Sequence, residues 1–211
     1  MPVRQALNRR ENLSVYPLTF TGDGPAVAGF WTVFTVWVLG ELWFQWRRRL
    51  PEDAASADRG SMQLLIASVW IAVPLGMGAA VVLSGAAIPV ARQELFTAGL
   101  LLMALGLAVR WYAVAVLGAA FTVTVGTTPD QGLIDTGPFR WVRHPSYAGS
   151  LLTILGILMC CGNFISLLAL ALPIASYAYR IRLEEKALVD ALGDPYRRYM
   201  SRTKWLIPKV L

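Results

Sequence analysis

Long apolar tracts alternating with short charged segments set the pattern of this chain. The first tract covers residues 26–46 and closes on Arg47-Arg48-Arg49; the second covers 62–83 and the third 95–117. Each is close to the ~20 residues that an α-helix needs to cross the hydrocarbon core of a bilayer. The next tract, 147–179, is too long for one span and is interrupted at Cys161-Gly162-Asn163. It reads as a tight helical hairpin of two short spans, the second extending as a helix through Arg180 to Leu192. Gly193-Asp194-Pro195 stops that helix, because Gly suits the left-handed residue beyond a helix end and Pro cannot continue one. Residues 196–211 then read as a basic tail with one more short helical turn. The expected fold is all-α: a polytopic membrane protein of about five transmembrane helices with a short hairpin and a C-terminal helix. One domain covers 1–211. It comprises an N-terminal segment (1–25), three spans (26–117) and a part rich in polar groups (118–211).

Composition supports this reading. Of 211 residues 56% are hydrophobic and only 15% charged, against roughly 25% charged in a soluble domain. The net charge of +6 lies at the ends of apolar spans, so anionic lipid headgroups, not nucleic acid, are the expected partners. No cleavable signal is expected, since polar Asn8–Asn12 follows Arg4, Arg9 and Arg10 where an apolar core would be needed; the first span serves for insertion. With five spans and the C-terminus inside, Arg47, Arg48, Arg49, Arg59, Arg140, Arg143 and the eight basic residues of 180–211 face the cytoplasm. That obeys the excess of Lys and Arg on the cytoplasmic side; the expected location is a cell (inner) membrane. The three N-terminal arginines dissent, and 1–25 is expected to fold back along a surface. Trp43, Trp46, Trp111, Trp141 and Trp205 fall near the interfaces, as an aromatic belt would. Cys160 and Cys161 are adjacent, so no disulfide framework is available.

The chemistry-bearing residues gather in 118–146 and the tail. Gly126-Thr127-Thr128-Pro129-Asp130-Gln131-Gly132 and Asp135-Thr136-Gly137-Pro138 are turn-rich, with main-chain groups a ligand can approach. Neither a dinucleotide fingerprint nor a phosphate loop is present. Arg140, Arg143, His144 and Tyr147 are three or four apart and share a helix face if the helix begins near Pro138 or Pro145. There the arginines, the imidazole and the first-turn N–H groups would converge on an anion, most naturally a carboxylate. Headgroup anchoring by Arg and Tyr is the plainer alternative, although it has no need of the chain's only histidine. One histidine with no cysteine nearby makes a poor metal site, so none is expected. Arg180 and Glu184 are four apart on one helix face, with Glu185 about 100° round; taken alone, mixed charges on an emerging helix are ordinary. Glu41 and Arg110 lie within or near spans, where ionisable groups are functional candidates by default; no role is assigned to either.

The run Gly137-Pro138-Phe139-Arg140-Trp141-Val142-Arg143-His144-Pro145-Ser146-Tyr147-Ala148-Gly149, then Arg180, Glu184-Glu185, Gly193-Asp194-Pro195-Tyr196-Arg197-Arg198-Tyr199, Arg202 and Pro208, resembles the isoprenylcysteine carboxyl methyltransferase family and its prokaryotic relatives. The match covers about 120–211 in order and spacing. Residues 1–115 match only as a generic set of spans. The resemblance implies an integral membrane methyltransferase using S-adenosyl-L-methionine without a Rossmann domain. His144 and Tyr147 would contact the methionine end of the cofactor, the backbone around Leu133 to Gly137 would line it, and Arg143 and Glu185 would help hold it. Arg180 and Glu184 would flank the transferring methyl, and Arg202 would bind the acceptor or close the site. The acceptor, lipophilic, would enter laterally from the bilayer. Pro195, Thr203 and Lys204 depart from the family pattern, Thr203-Lys204 standing where relatives often have Val-Pro. Similar patterns occur in phospholipid and thiol methyltransferases and in sterol-type reductases. Two alternatives therefore stand beside a carboxyl methyltransferase: an NADPH-dependent reductase of an unsaturated lipid, and a non-enzymatic protein binding lipid or a partner.

Overall fold

In the computed structural model, residues 17–22, 24–47, 60–89, 91–118 and 133–207 are described, and four of their helical segments are long and apolar enough to cross a bilayer. α1 (Pro25–Arg47), α2 (Ser61–Val82) and α3 (Arg92–Leu117) fall where the apolar tracts place them. α4 (Pro145–Cys160) is the shorter apolar helix. α5 (Phe164–Leu168) and α6 (Ala171–Leu192) form one apolar segment from Phe164 to Leu192. α7 (Asp194–Arg202) packs back against the segment that precedes α4. A one-turn helix, Leu18–Thr21, precedes α1, and 3-10 turns occupy Ser84–Ala86 and Gly137–Arg140. The chain is thus an all-helical polytopic membrane protein.

Two expectations need correction. The tail forms a nine-residue helix, not a single turn. Gly193, at φ +61, ends α6, and Pro195 then sits in the first turn of α7, where its missing N–H removes no helical bond. Gly193-Asp194-Pro195 therefore both stops one helix and starts another. Nor do Arg140, Arg143 and Tyr147 share a helix: the chain breaks between Arg140 and Pro145, and α4 begins at Pro145.

The long helices are apolar nearly all round and bury one stripe. In α1 that stripe is Phe30, Trp37 and Phe44, seven residues apart and almost fully buried, while Leu39, Leu42, Trp43 and Trp46 stay exposed on faces that lipid would cover. Phe30 stacks with Phe34 and tilts against Phe96 of α3; Trp37 meets Trp70 of α2. α3 and α4 pack backbone to backbone. A Cβ added at Gly106 would lie 2.5 Å from the Thr153 nitrogen, and one at Gly156 would lie 2.5 Å from the Gly99 carbonyl and the Met103 nitrogen. Lipid tails are as apolar as Leu, so such close approach through small residues is a main source of helix association in membranes.

At the tip of the hairpin, Gly162 (φ +59) turns the chain and Asn163 caps α5. The Asn163 side-chain oxygen accepts from the Ile165 and Ser166 amides at 2.9 and 3.3 Å, and its amide donates to the Leu83 carbonyl at 2.9 Å. The tip is thereby pinned to the α2–α3 connection. α4, rising about 24 Å over its sixteen residues, sets the depth at which the two ends of the hairpin meet.

Candidate active site

The motif enters α4 through a 3-10 turn and a short non-helical stretch, and is clamped by the tail. The Arg143 amide donates to the Lys204 carbonyl at 2.7 Å and the His144 amide donates to the Trp205 carbonyl at 3.0 Å. Tyr199 of α7 donates its hydroxyl to the Phe139 carbonyl at 2.6 Å. Burial pushes that phenol up to about 12, so it stays a donor at neutral pH; the Tyr196 phenol is raised by the same cause. Two of the three departures from the family pattern, Thr203 and Lys204, lie in this clamp. Thr203 donates its hydroxyl to the Tyr199 carbonyl at 2.6 Å, and the Lys204 N–H donates to the Trp141 carbonyl at 3.4 Å, a bond that proline could not make.

Two side-chain groups follow from this scaffold. In the first, Arg143 Nε donates to Glu185 Oε1 at 2.5 Å and the His144 Nε2 lies 3.3 Å from the same oxygen. Arg143 also donates to the carbonyls of Met200 and Thr203 at 3.1 and 2.5 Å. The carboxylate that the arginine and imidazole meet is therefore the chain's own Glu185, held from α6. All three groups are buried. In the second, Tyr147 donates to Glu184 Oε2 at 2.7 Å, while Arg180 reaches the Tyr147 hydroxyl at 3.3 Å and Ser61 Oγ of α2 at 2.7 Å. The rings of His144 and Tyr147 stack in parallel, centroids 5.5 Å apart, and join the two groups into one cluster. Tyr177 lies behind, 5.0 Å from Tyr147.

Six of the predicted residues thus converge: Arg143, His144 and Tyr147 from the motif, and Arg180, Glu184 and Glu185 from α6. Arg202 stands apart on the exposed face of α7, where it pairs with Asp135 and lies over the Tyr199 ring. That ion pair ties α7 to the segment holding Leu133 and Gly137, both half-buried. Gly137, at φ +57, packs close to Val116 and Tyr112 of α3. Arg140 is exposed and stacks on Trp141. The turn-rich 126–132 stretch, Arg48, Arg49, Arg59, Pro208 and most of 1–25 lie outside the described residues. Ser61, as partner of Arg180, carried no signal in the sequence.

Fold and site together define a helical membrane protein with one buried polar cluster at the base of a short hairpin. The sequence model of the isoprenylcysteine carboxyl methyltransferase family matches residues 99–190, from α3 through Glu184 and Glu185, so the family resemblance carried by the motif holds over that stretch. The protein-S-isoprenylcysteine O-methyltransferase of Schizosaccharomyces pombe is 34% identical over 117 residues, 54% of this chain and 50% of that protein. The enzyme of the same name from Saccharomyces cerevisiae is 33% identical over 113 residues, 52% of this chain and 47% of that protein. Methanethiol S-methyltransferase 1 of Bradyrhizobium diazoefficiens is 37% identical over 71 residues, 33% of this chain and 24% of that protein. The chain spans about half the length of the isoprenylcysteine relatives it matches. A solved structure, that of a eukaryotic intramembrane Ras methyltransferase (isoprenylcysteine carboxyl methyltransferase), shares the fold: TM-score 0.53 at 23% identity, over 71% of this chain and 52% of that one.

Proposed function

We propose that the protein transfers a methyl group from S-adenosyl-L-methionine to a lipophilic acceptor that enters from the bilayer, with a carboxylate as the first acceptor class. The observation that carries this reading is the convergence of His144 and Tyr147 with Arg180, Glu184 and Glu185 in one buried cluster. The donor set fits the cofactor. Two adjacent carboxylates, a phenol and an imidazole at a buried edge suit a ligand that carries a sulfonium, an ammonium and a carboxylate. His144, Tyr147, Glu185 and the backbone from Leu133 to Gly137 would hold it, and bound there it supplies an electrophilic methyl group.

The residues of the chain then have to align and to exclude water, since displacement at a methyl carbon demands an in-line approach. A carboxylate acceptor, with pKa about 4, is ionised at neutral pH and needs orientation, not a base; Arg180 is the cation at that place. A thiol, with pKa about 8.5, must lose a proton, and Glu184 would take it. The likeness to a methanethiol S-methyltransferase favours keeping that second acceptor class. Arg143, spent on Glu185 and two carbonyls, acts by positioning Glu185 and the tail. Arg202, through Asp135, holds the segment beside the cofactor place and closes it. The basic tail, with Arg140 and Arg143, supports reading this side of the molecule as the cytoplasmic one.

The test is thermal stabilisation of the purified protein. S-adenosylhomocysteine should raise the melting temperature. A rise with NADP alone would favour a lipid reductase, and a rise with neither would favour a non-enzymatic protein. A radiolabelled-methyl screen against lipid extracts then identifies the acceptor.

A further inference from the structure

Ser61 opens α2 and is fully buried. Its hydroxyl accepts from Arg180 Nη1 at 2.7 Å, across 119 residues of chain. Packing at both ends of α2 brings it there. Near its start α2 buries Ser61, Met62 and Leu65. From Ser61 to Gly76 the helix rises about 22 Å. There the Gly76 carbonyl accepts from Ser166 Oγ of α5 at 2.6 Å, and Gly76 packs against Leu158 and Ala169. The hairpin thus sets the depth of α2, and with it the level at which Ser61 meets α6.

Arg180 is fully buried and is held from two helices. Nη1 donates to Ser61 of α2, and Nε donates to the Tyr147 hydroxyl of α4 at 3.3 Å. A guanidinium is planar, so hydrogen bonds to oxygens on two different helices fix its rotation as well as its place. A hydroxyl acceptor does this without cancelling the charge. The Tyr147 hydroxyl in turn donates to Glu184 at 2.7 Å, which ties the plane of Arg180 to the rest of the cluster. Orientation is what this cation has to supply to a carboxylate. Pairing of a guanidinium with a carboxylate is directional, and displacement at a methyl carbon tolerates little misplacement of the attacking oxygen.

We infer that Ser61 is a positioning residue for methyl transfer to a carboxylate: together with Tyr147 it holds the Arg180 guanidinium in the plane in which the acceptor meets it. This role rests on the function proposed above.

The experiment gives the full chain, in detergent micelles, S-adenosyl-L-methionine labelled on its methyl group and a total membrane lipid extract. Mild alkali releases label from methyl esters as methanol, whereas methyl groups on sulfur or nitrogen stay bound. The released label therefore reads transfer to carboxylates alone. Ser61→Ala should slow its appearance about tenfold, as loss of one hydrogen bond to a charged group implies. Stabilisation by S-adenosylhomocysteine and the half-saturating cofactor concentration should stay as in the natural chain. Ser61→Thr keeps the hydroxyl and should recover most of the rate. An unchanged rate in Ser61→Ala would overturn the inference. So would loss of stabilisation by S-adenosylhomocysteine along with the rate, the mark of a merely structural residue. A Ser61→Thr chain that binds S-adenosylhomocysteine normally yet stays slow would overturn it too. The natural chain separates these failures from that of the proposed function. No labelled product from it would refute methyl transfer, and only alkali-stable product would refute a carboxylate acceptor; the role of Ser61 falls with either.

Discussion

Two polar clusters in this molecule solve the same problem in different ways. At the base of the hairpin, two arginines, a histidine and a tyrosine surround two carboxylates brought from α6, and backbone carbonyls of the tail complete the set. Inside the spans, Glu41 and Arg110 form a one-to-one pair steadied by two serines. The first cluster distributes its donors over several acceptors from distant segments; the second ties one cation to one anion. A closed pair can be replaced by apolar groups with little loss, whereas a shared network cannot, because every member supports another. The contrast separates a cluster proposed above to carry chemistry from one that ties helices together.

Four substitutions would break or sharpen that contrast. Arg143→Ala should have the largest effect. It strips Glu185 of its cation and two tail carbonyls of their donor, and removing one partner of a buried pair costs about 3–5 kcal/mol; chemical denaturation in micelles would read the loss. Glu41→Leu should come close, because it leaves the Arg110 guanidinium buried and unpaired. Glu41→Leu with Arg110→Met should recover most of that stability. A double variant as unstable as the single one would show that the inner pair is no simple lock. Next, Glu184→Gln keeps an acceptor for Tyr147 and the fold, and should lower methyl transfer by about 100-fold or more while stabilisation by S-adenosylhomocysteine persists. Normal methylation would remove Glu184 from the chemistry. Last, Arg202→Ala breaks an exposed pair with Asp135 and should change stability by less than about 1 kcal/mol. Its effect should instead be on acceptor KM; an unchanged KM would make that pair a surface feature only.

Much of this was legible in the chain itself. The spans followed from tract length, and the hairpin break from Cys161-Gly162-Asn163, since both are local properties of the backbone and its solvent. That the motif meets Arg180, Glu184 and Glu185 was expected from the short hairpin that joins them and from the family resemblance. Helical spacing misled at Arg140. Its three- and four-residue intervals to Arg143 and Tyr147 imply a shared face only if one helix runs through them, and the clamp with Lys204 and Trp205 holds Arg143 and His144 outside any helix instead. The nine-residue length of α7 was missed because Pro195 reads as a stop when it follows Gly193, yet proline is equally at home in the first turn of the next helix.

What the sequence by itself determined is the architecture along the chain: which stretches cross the bilayer, where the hairpin turns, and which residue types gather at one of its ends. Each depends on neighbours within a turn or two. Only the tertiary structure decided which charge meets which. Glu41 finds Arg110 across 69 residues, Arg143 finds Glu185 across 42, and Arg180 finds Ser61 across 119. Those meetings depend on the depth and rotation of packed helices. These are set by glycine-scale contacts such as Gly106 against Thr153, where a single methyl group would move one helix relative to the other.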